Sequence, residues 1–226
     1  MTRFNFLTLI HKSLKAALYD GALTLQQASV HTADEAAFLA DKICEVTMLL
    51  DEWTRKEEHF ILPEIGLYEP SIVDTMQREH EENRQLSNKL TTGLNLLEQC
   101  KTKEQRAEIL NRLNHDYMIL LAVQLRHLAK EERIINSMLY RYCNDAFIKD
   151  TLDQLRRRIA PWHMAFFHKW MLRGMNKTET AALLKMMQET ASPVEFETLY
   201  AYASLELSPS ALQQIKRILL QETPAA

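Results

Sequence analysis

Apolar residues recur along this chain at steps of three and four in four long stretches. Each stretch places a histidine or a carboxylate where the pattern calls for a core residue. The first reads Phe4, Leu7, His11, Leu14, Leu18. The second reads Ala36, Leu39, Ile43, Val46, Leu50, Trp53, Glu57, Phe60. The third reads Val73, Met76, His80, Asn83, Ser87, Leu90, Leu94, Leu97, and the fourth Leu113, Tyr117, Leu120, Gln124, His127, Glu131, Ile134, Met138. A three-four step holds side chains on one face of an α-helix, and an apolar face turns inward. An imidazole or carboxylate on such a face is costly unless it is paired or bound to a metal.

The pattern predicts a helix over 3–19 that stops near Asp20-Gly21, where glycine suits a helix end. A second helix opens at Thr32, with Glu35 in capping-box spacing, and runs to Leu62, ended by Pro63 and Gly66. A third runs from Pro70-Ser71 to Cys100 and a fourth from Lys103 to Tyr142. Asn144 or Asp145 then caps a helix reaching Pro161, which kinks or divides it. A stretch rich in aromatics and methionine covers 162–175, and a short helix runs from Thr178 to Thr190. Ser192-Pro193 and Ser208-Pro209 are helix-start signals. The expected fold is all-α: an up-down four-helix bundle over 1–142, with a helical C-terminal extension over 143–226 packed on it.

Composition sharpens this. Only four glycines and six prolines interrupt 226 residues, and 46% of them are hydrophobic, which favours long helices around a sizeable core. Strand-like alternation is absent. The net charge of −3 is mixed, and Arg156, Arg157 and Arg158 read as a solvated helix face, so no nucleic-acid surface is expected. No apolar run reaches the roughly 20 residues of a membrane span, and the charged N-terminal stretch does not read as a signal peptide. Cys44, Cys100 and Cys143 are odd in number and far apart, as free thiols of a reducing cytoplasm are.

Five core-slot residues, His11, Glu57, His80, His127 and Glu131, are the candidate metal ligands. His127 and Glu131 stand one helical turn apart on one face and can reach one centre. Each has an ordinary alternative: a core histidine for His11, an acidic surface patch for Glu57-Glu58, an ordinary histidine for His80, and an exposed helix pair for His127 and Glu131, with Glu131 in the acidic patch Glu131-Glu132. His31 and Glu35 read as helix capping. His59 and His115 fall off their seams, and His163 and His168 read as packing in the extension. There is no glycine-rich phosphate loop, no Cys-x-x-Cys, and no Glu three residues before any histidine, as ferritin-like di-iron sites require.

A histidine on the first helix, a His-x-x-x-Glu on the second, a histidine on the third and a His-x-x-x-Glu on the fourth resembles the hemerythrin-like (HHE cation-binding) family. The matching residues are His11, Trp53-x-x-x-Glu57, His80 and His127-x-x-x-Glu131, with KEEHFILPEI and HLAKEERIINSML as similar segments. The match covers 4–142; WMLRGMNKTETAALL is similar to the C-terminal helices of some members. The resemblance implies histidines and two bridging carboxylates around iron, with dioxygen or nitric oxide as ligands. This chain departs at Trp53, which stands where the second helix of the family carries a histidine. Indole nitrogen donates and has no lone pair for a metal, so one metal position loses a ligand.

The expected function is therefore non-catalytic binding of iron, and of O2 or NO, at an incomplete histidine-carboxylate centre in a cytoplasmic protein. A member without metal, acting as a scaffold for a protein partner, is one alternative. A di-iron redox protein of stress repair is another, and Trp53 weighs against it.

Overall fold

The computed structural model describes residues 6–221, apart from the side chains of Phe6, Leu152, Arg156, Leu220 and Gln221. Phe4 of the first seam and the Arg156 side chain of the basic run therefore lie outside the described residues. Among these residues every regular element is helical and none is a strand.

Helix α1 (Phe6–Gln27) buries Leu7, His11, Leu14 and Leu18, as the seam predicts. It does not stop at Gly21, which has no positive φ. The fully buried Tyr117 donates its hydroxyl to the Leu18 carbonyl at 3.0 Å, and a Cβ on Gly21 would lie 2.1 Å from that hydroxyl. The glycine is a notch for a tyrosine, and the helix runs on past it.

Helix α2 (Ala33–Lys56) begins as predicted. Thr32 Oγ1 accepts from Glu35 N, and the Glu35 carboxylate accepts from the backbone N–H of both Thr32 and His31. Its far end differs from expectation. A π-helical turn occupies Glu57–Ile61, with the Leu62 N–H reaching back to the Glu57 carbonyl, and α3 (Leu62–Gly66) follows. The extra residue in that turn moves the buried seam from Phe60 to Ile61, Leu62 and Ile65. Pro63 continues the chain instead of ending it. Lying in the first turn of α3, it has no N–H for the irregular turn to leave unpaired.

Helices α4 (Pro70–Gln99) and α5 (Lys103–Tyr142) match the expected bounds within a residue, and Thr102 caps α5 by accepting from Gln105 N. Asn144 accepts from Phe147 N ahead of α6 (Asp145–Arg157), and Pro161 opens a separate helix, α7 (Pro161–Gly174). Helix α8 (Lys177–Thr190) starts one turn-position before Thr178, because Asn176 forms its capping box with Glu179. Both serine-proline signals open helices as read, α9 (Pro193–Glu206) and α10 (Pro209–Gln221).

Helices α1, α2, α4 and α5 close a ring: α1 packs on α2 and α5, and α4 packs on the same two. Their inward faces form one core that continues into α7 through Phe167 and Trp170. Helix α7 lies against α1 closely enough that a Cβ on Gly174 would come within 2.5 Å of the Lys12 carbonyl oxygen. It is tied to α2 as well, where Glu45 accepts from both Lys169 Nζ and Trp170 Nε1 at 2.7 Å. Helices α8 to α10 gather round a second core that includes Leu172, Leu184, Leu199 and Ile215. No helix among the described residues is long and apolar enough to cross a membrane. Cys44, Cys100 and Cys143 are free thiols, each half-buried.

Candidate metal centre

The ring brings all five candidate ligands to one level of its interior. His11 comes from α1, Glu57 from the π turn after α2, His80 from α4, and His127 and Glu131 from α5; none is more than 4% exposed. Glu57, His80, His127 and Glu131 form a group whose ligand atoms all lie within 4.8 Å of one another, a buried set that can bind a metal. His11 stands outside that group of four, yet within reach of both carboxylates.

Each histidine is held by the same device. His11 Nδ1 lies 3.1 Å from Glu132 Oε1, His80 Nδ1 lies 3.0 Å from Glu58 Oε1, and His127 Nδ1 lies 2.8 Å from Glu79 Oε2. An ionised carboxylate only accepts, so each Nδ1 carries the proton and donates it. A cation fixes each carboxylate in turn. Lys15 donates to Glu132 at 2.7 Å, Arg84 donates to both oxygens of Glu58, and Lys130 donates to Glu79. Carboxylate-to-Nδ1 bonds of this kind set the ring orientation and tautomer of metal-ligating histidines.

The relays follow the ring of helices. The turn after α2 serves α4, α4 serves α5, and α5 serves α1. The remaining step, from α1 to α2, is where Trp53 stands. Its indole meets the His11 ring edge-on, with centroids 6.1 Å apart.

With Nδ1 engaged, the Nε2 atoms of His11 and His80 face both central carboxylates, and that of His127 faces Glu131. Glu131 Oε1 lies 3.0 Å from His127 Nε2 and 3.6 Å from His80 Nε2, and Glu57 Oε2 lies 3.6 Å from His80 Nε2. The opposite oxygens face His11: its Nε2 is 3.4 Å from Glu131 Oε2 and 4.0 Å from Glu57 Oε1. Each carboxylate thus offers one oxygen to a side holding His80 and His127, and the other to a side holding His11 and Trp53. The three Nε2 atoms, Glu57 Oε2 and both Glu131 oxygens have no hydrogen-bond partner among the described residues. So many orphaned polar atoms at one buried point call for a ligand common to them.

Protonation shows how the cluster is balanced. Burial and the neighbouring Glu131 charge both raise the Glu57 carboxyl. Burial pushes Glu131 up as well, but His127 and His80 outweigh it and hold that carboxyl far below its ordinary range. Burial would lower both histidines. Glu131 and Glu57 reverse this and lift His80 to about 10 and His127 to about 9. Two of the orienting carboxylates, Glu132 and Glu79, are held below their ordinary range. His11 and Lys15 bring Glu132 down to about 2, and on Glu79 His127 and Lys130 overcome the upward push of burial. Without a metal, protons on the histidines compensate the buried negative charge; a cation can take their place.

The other histidines lie apart from this cluster. His31 is exposed and paired locally with Ser29, and His59 and His115 are exposed. His163 is buried 3.4 Å from Glu52, and His168 is half-buried near Tyr202. Sequence reasoning missed Glu58, Glu79 and Glu132 as parts of the site; Glu58 and Glu132 entered it only as members of alternative acidic patches. Their signal was adjacency: each neighbours a cluster residue in sequence, about 100° round the helix from it, and so faces the next helix of the ring. No family model matches this chain, and no curated protein or solved structure matches it either.

Proposed function

We propose that this cluster is a metal centre for iron in a hemerythrin-like, up-down four-helix bundle formed by residues 1–142, with 143–226 as its helical extension. The observation that carries the reading is the relay geometry: three buried histidines, each oriented through Nδ1 by a carboxylate, turn Nε2 onto two buried carboxylates. Imidazole with carboxylate suits iron among the first-row metals. His80, His127, Glu57 and Glu131 are the primary ligands, and His11 adds a donor from the far side of the carboxylates. Trp53 takes the place of a further donor beside His11, so we assign a single metal rather than a pair. Bound iron supplies an open coordination position for a small ligand such as O2 or NO. The surrounding residues hold the imidazoles in register and keep bulk water from the carboxylates.

Trp53 favours one second reading, a protein that keeps the bundle as a scaffold for a protein partner and binds no metal. Anaerobic titration of the chelator-treated protein with ferrous iron separates the two. The metal reading expects saturable uptake of about one iron per chain, lost in a double His80→Asn, His127→Asn variant. No uptake by the folded parent would leave the scaffold. A strongly coupled pair of irons would instead revive a di-iron redox protein.

A further inference from the structure

Beside the cluster a cleft of about 280 Å³ runs between α2, α4 and α5, from Asn88 and Thr91 at the surface down to His80. Its lining is mixed: Met48 and Leu50 stand among polar side chains that include Thr47, Thr54, Asn83, Ser87 and Gln124. Asn83 follows His80 by three residues and Gln124 precedes His127 by three, so both share the helix face of a ligand histidine. Asn83 is 3% exposed, and neither its Nδ2 nor its Oδ1 has a hydrogen-bond partner among the described residues. An amide buried with both of its polar atoms unpaired is destabilising unless something binds it. The cleft is also far larger than the roughly 30 Å³ share of one structural water. The larger apolar cavity under α6, about 440 Å³, touches none of the five cluster residues.

We propose that this cleft is the route by which a small hydrogen-bonding molecule reaches the metal, and that Asn83 is the residue that holds it beside His80. The inference rests on the metal reading and narrows it: the cleft favours a ligand that can hydrogen-bond the amide. Asn83 is a positioning residue for that ligand.

The test uses the iron-loaded full chain, with azide on the ferric form and nitric oxide on the ferrous form as probes, each followed by absorption. Asn83→Leu keeps the shape and removes the amide. It should weaken azide binding about tenfold, the scale of one hydrogen bond to a charged ligand, and leave nitric oxide affinity and iron content unchanged. Its melting temperature should not fall, since no protein partner is lost. Equal azide affinity in parent and variant at equal iron content would overturn the proposal and leave Asn83 a hydrated amide only. Ser87→Phe, on the cleft wall, supplies a second variant: it should slow azide association without changing equilibrium affinity, and an unchanged rate would overturn the route. A parent that takes up no iron removes the metal reading itself, an outcome distinct from either of these.

Discussion

His127 donates through Nδ1 to Glu79 at 2.8 Å, so its other nitrogen is left facing Glu131 in the buried centre. Glu79 sits on α4 and His127 on α5, and Lys130, one turn along α5, holds the same carboxylate. The bond decides which nitrogen of His127 is available to a metal. Glu79→Ala should therefore lower metal affinity about 10- to 100-fold, the usual effect of removing such a partner, while metal still saturates at the parental stoichiometry. Competition with a chromogenic chelator measures this. An unchanged affinity would mean the His127 ring is held by packing alone.

Trp53 fills the one step of the ring that lacks a relay. Trp53→His should raise iron content above the parent under identical expression, because it adds a nitrogen donor one turn before Glu57 on the His11 side. The smaller ring leaves a void, so the metal-free variant should lose about 2 kcal/mol of stability. Elemental analysis and chemical denaturation read the two effects. Iron equal to the parent's would show that the His11 side is closed for further reasons.

The metal-free protein should lose stability as pH rises. His80 and His127 have folded-state pKa values of about 10 and about 9, raised from 6.5 by Glu131 and Glu57 against the opposing effect of burial. Their contribution is complete below pH 6.5, where both states are protonated, and is lost as pH climbs through 9 and 10. Metal displaces these protons, so iron affinity should rise across the same interval. Thermal melts of chelator-treated protein from pH 6 to 10, with the double His80→Asn, His127→Asn variant as reference, test the first point. Parallel pH profiles for parent and variant would contradict it.

Two glycines should respond oppositely to alanine. Gly174→Ala drives a methyl into the Lys12 carbonyl, a backbone atom that cannot step aside, and should cost about 2 kcal/mol by prising α7 from α1. Gly66→Ala meets only Val73 Cγ2 at 3.5 Å and should gain about 0.5 kcal/mol through the unfolded chain. Urea midpoints of the two variants give the comparison, and equal shifts would mean the α1–α7 approach is not tight.

The helical class and the inward placement of His11, Glu57, His80, His127 and Glu131 were legible because helical periodicity is local. Side chains three and four residues apart share a face whatever the rest of the chain does. The run of α1 past Gly21 was not legible, since it depends on Tyr117, 96 positions away in the chain and on another helix. Nor was the π turn: the seam after Glu57 reads as well through Phe60 as through Ile61, and only tertiary packing separates them. The part played by Glu58, Glu79 and Glu132 was not legible either, because each serves a histidine on a neighbouring helix. Which helix is the neighbour is a property of the ring.

Everything proposed for the centre depends on a metal being held by His127 and its partners. The most direct measurement is iron per chain in protein expressed in iron-replete medium and purified without chelator, for the parent, His127→Ala and His31→Ala. The account predicts about one iron per chain in the parent and in His31→Ala, and almost none in His127→Ala. Equal iron in all three proteins, or none in a folded parent even after anaerobic reconstitution, would contradict it.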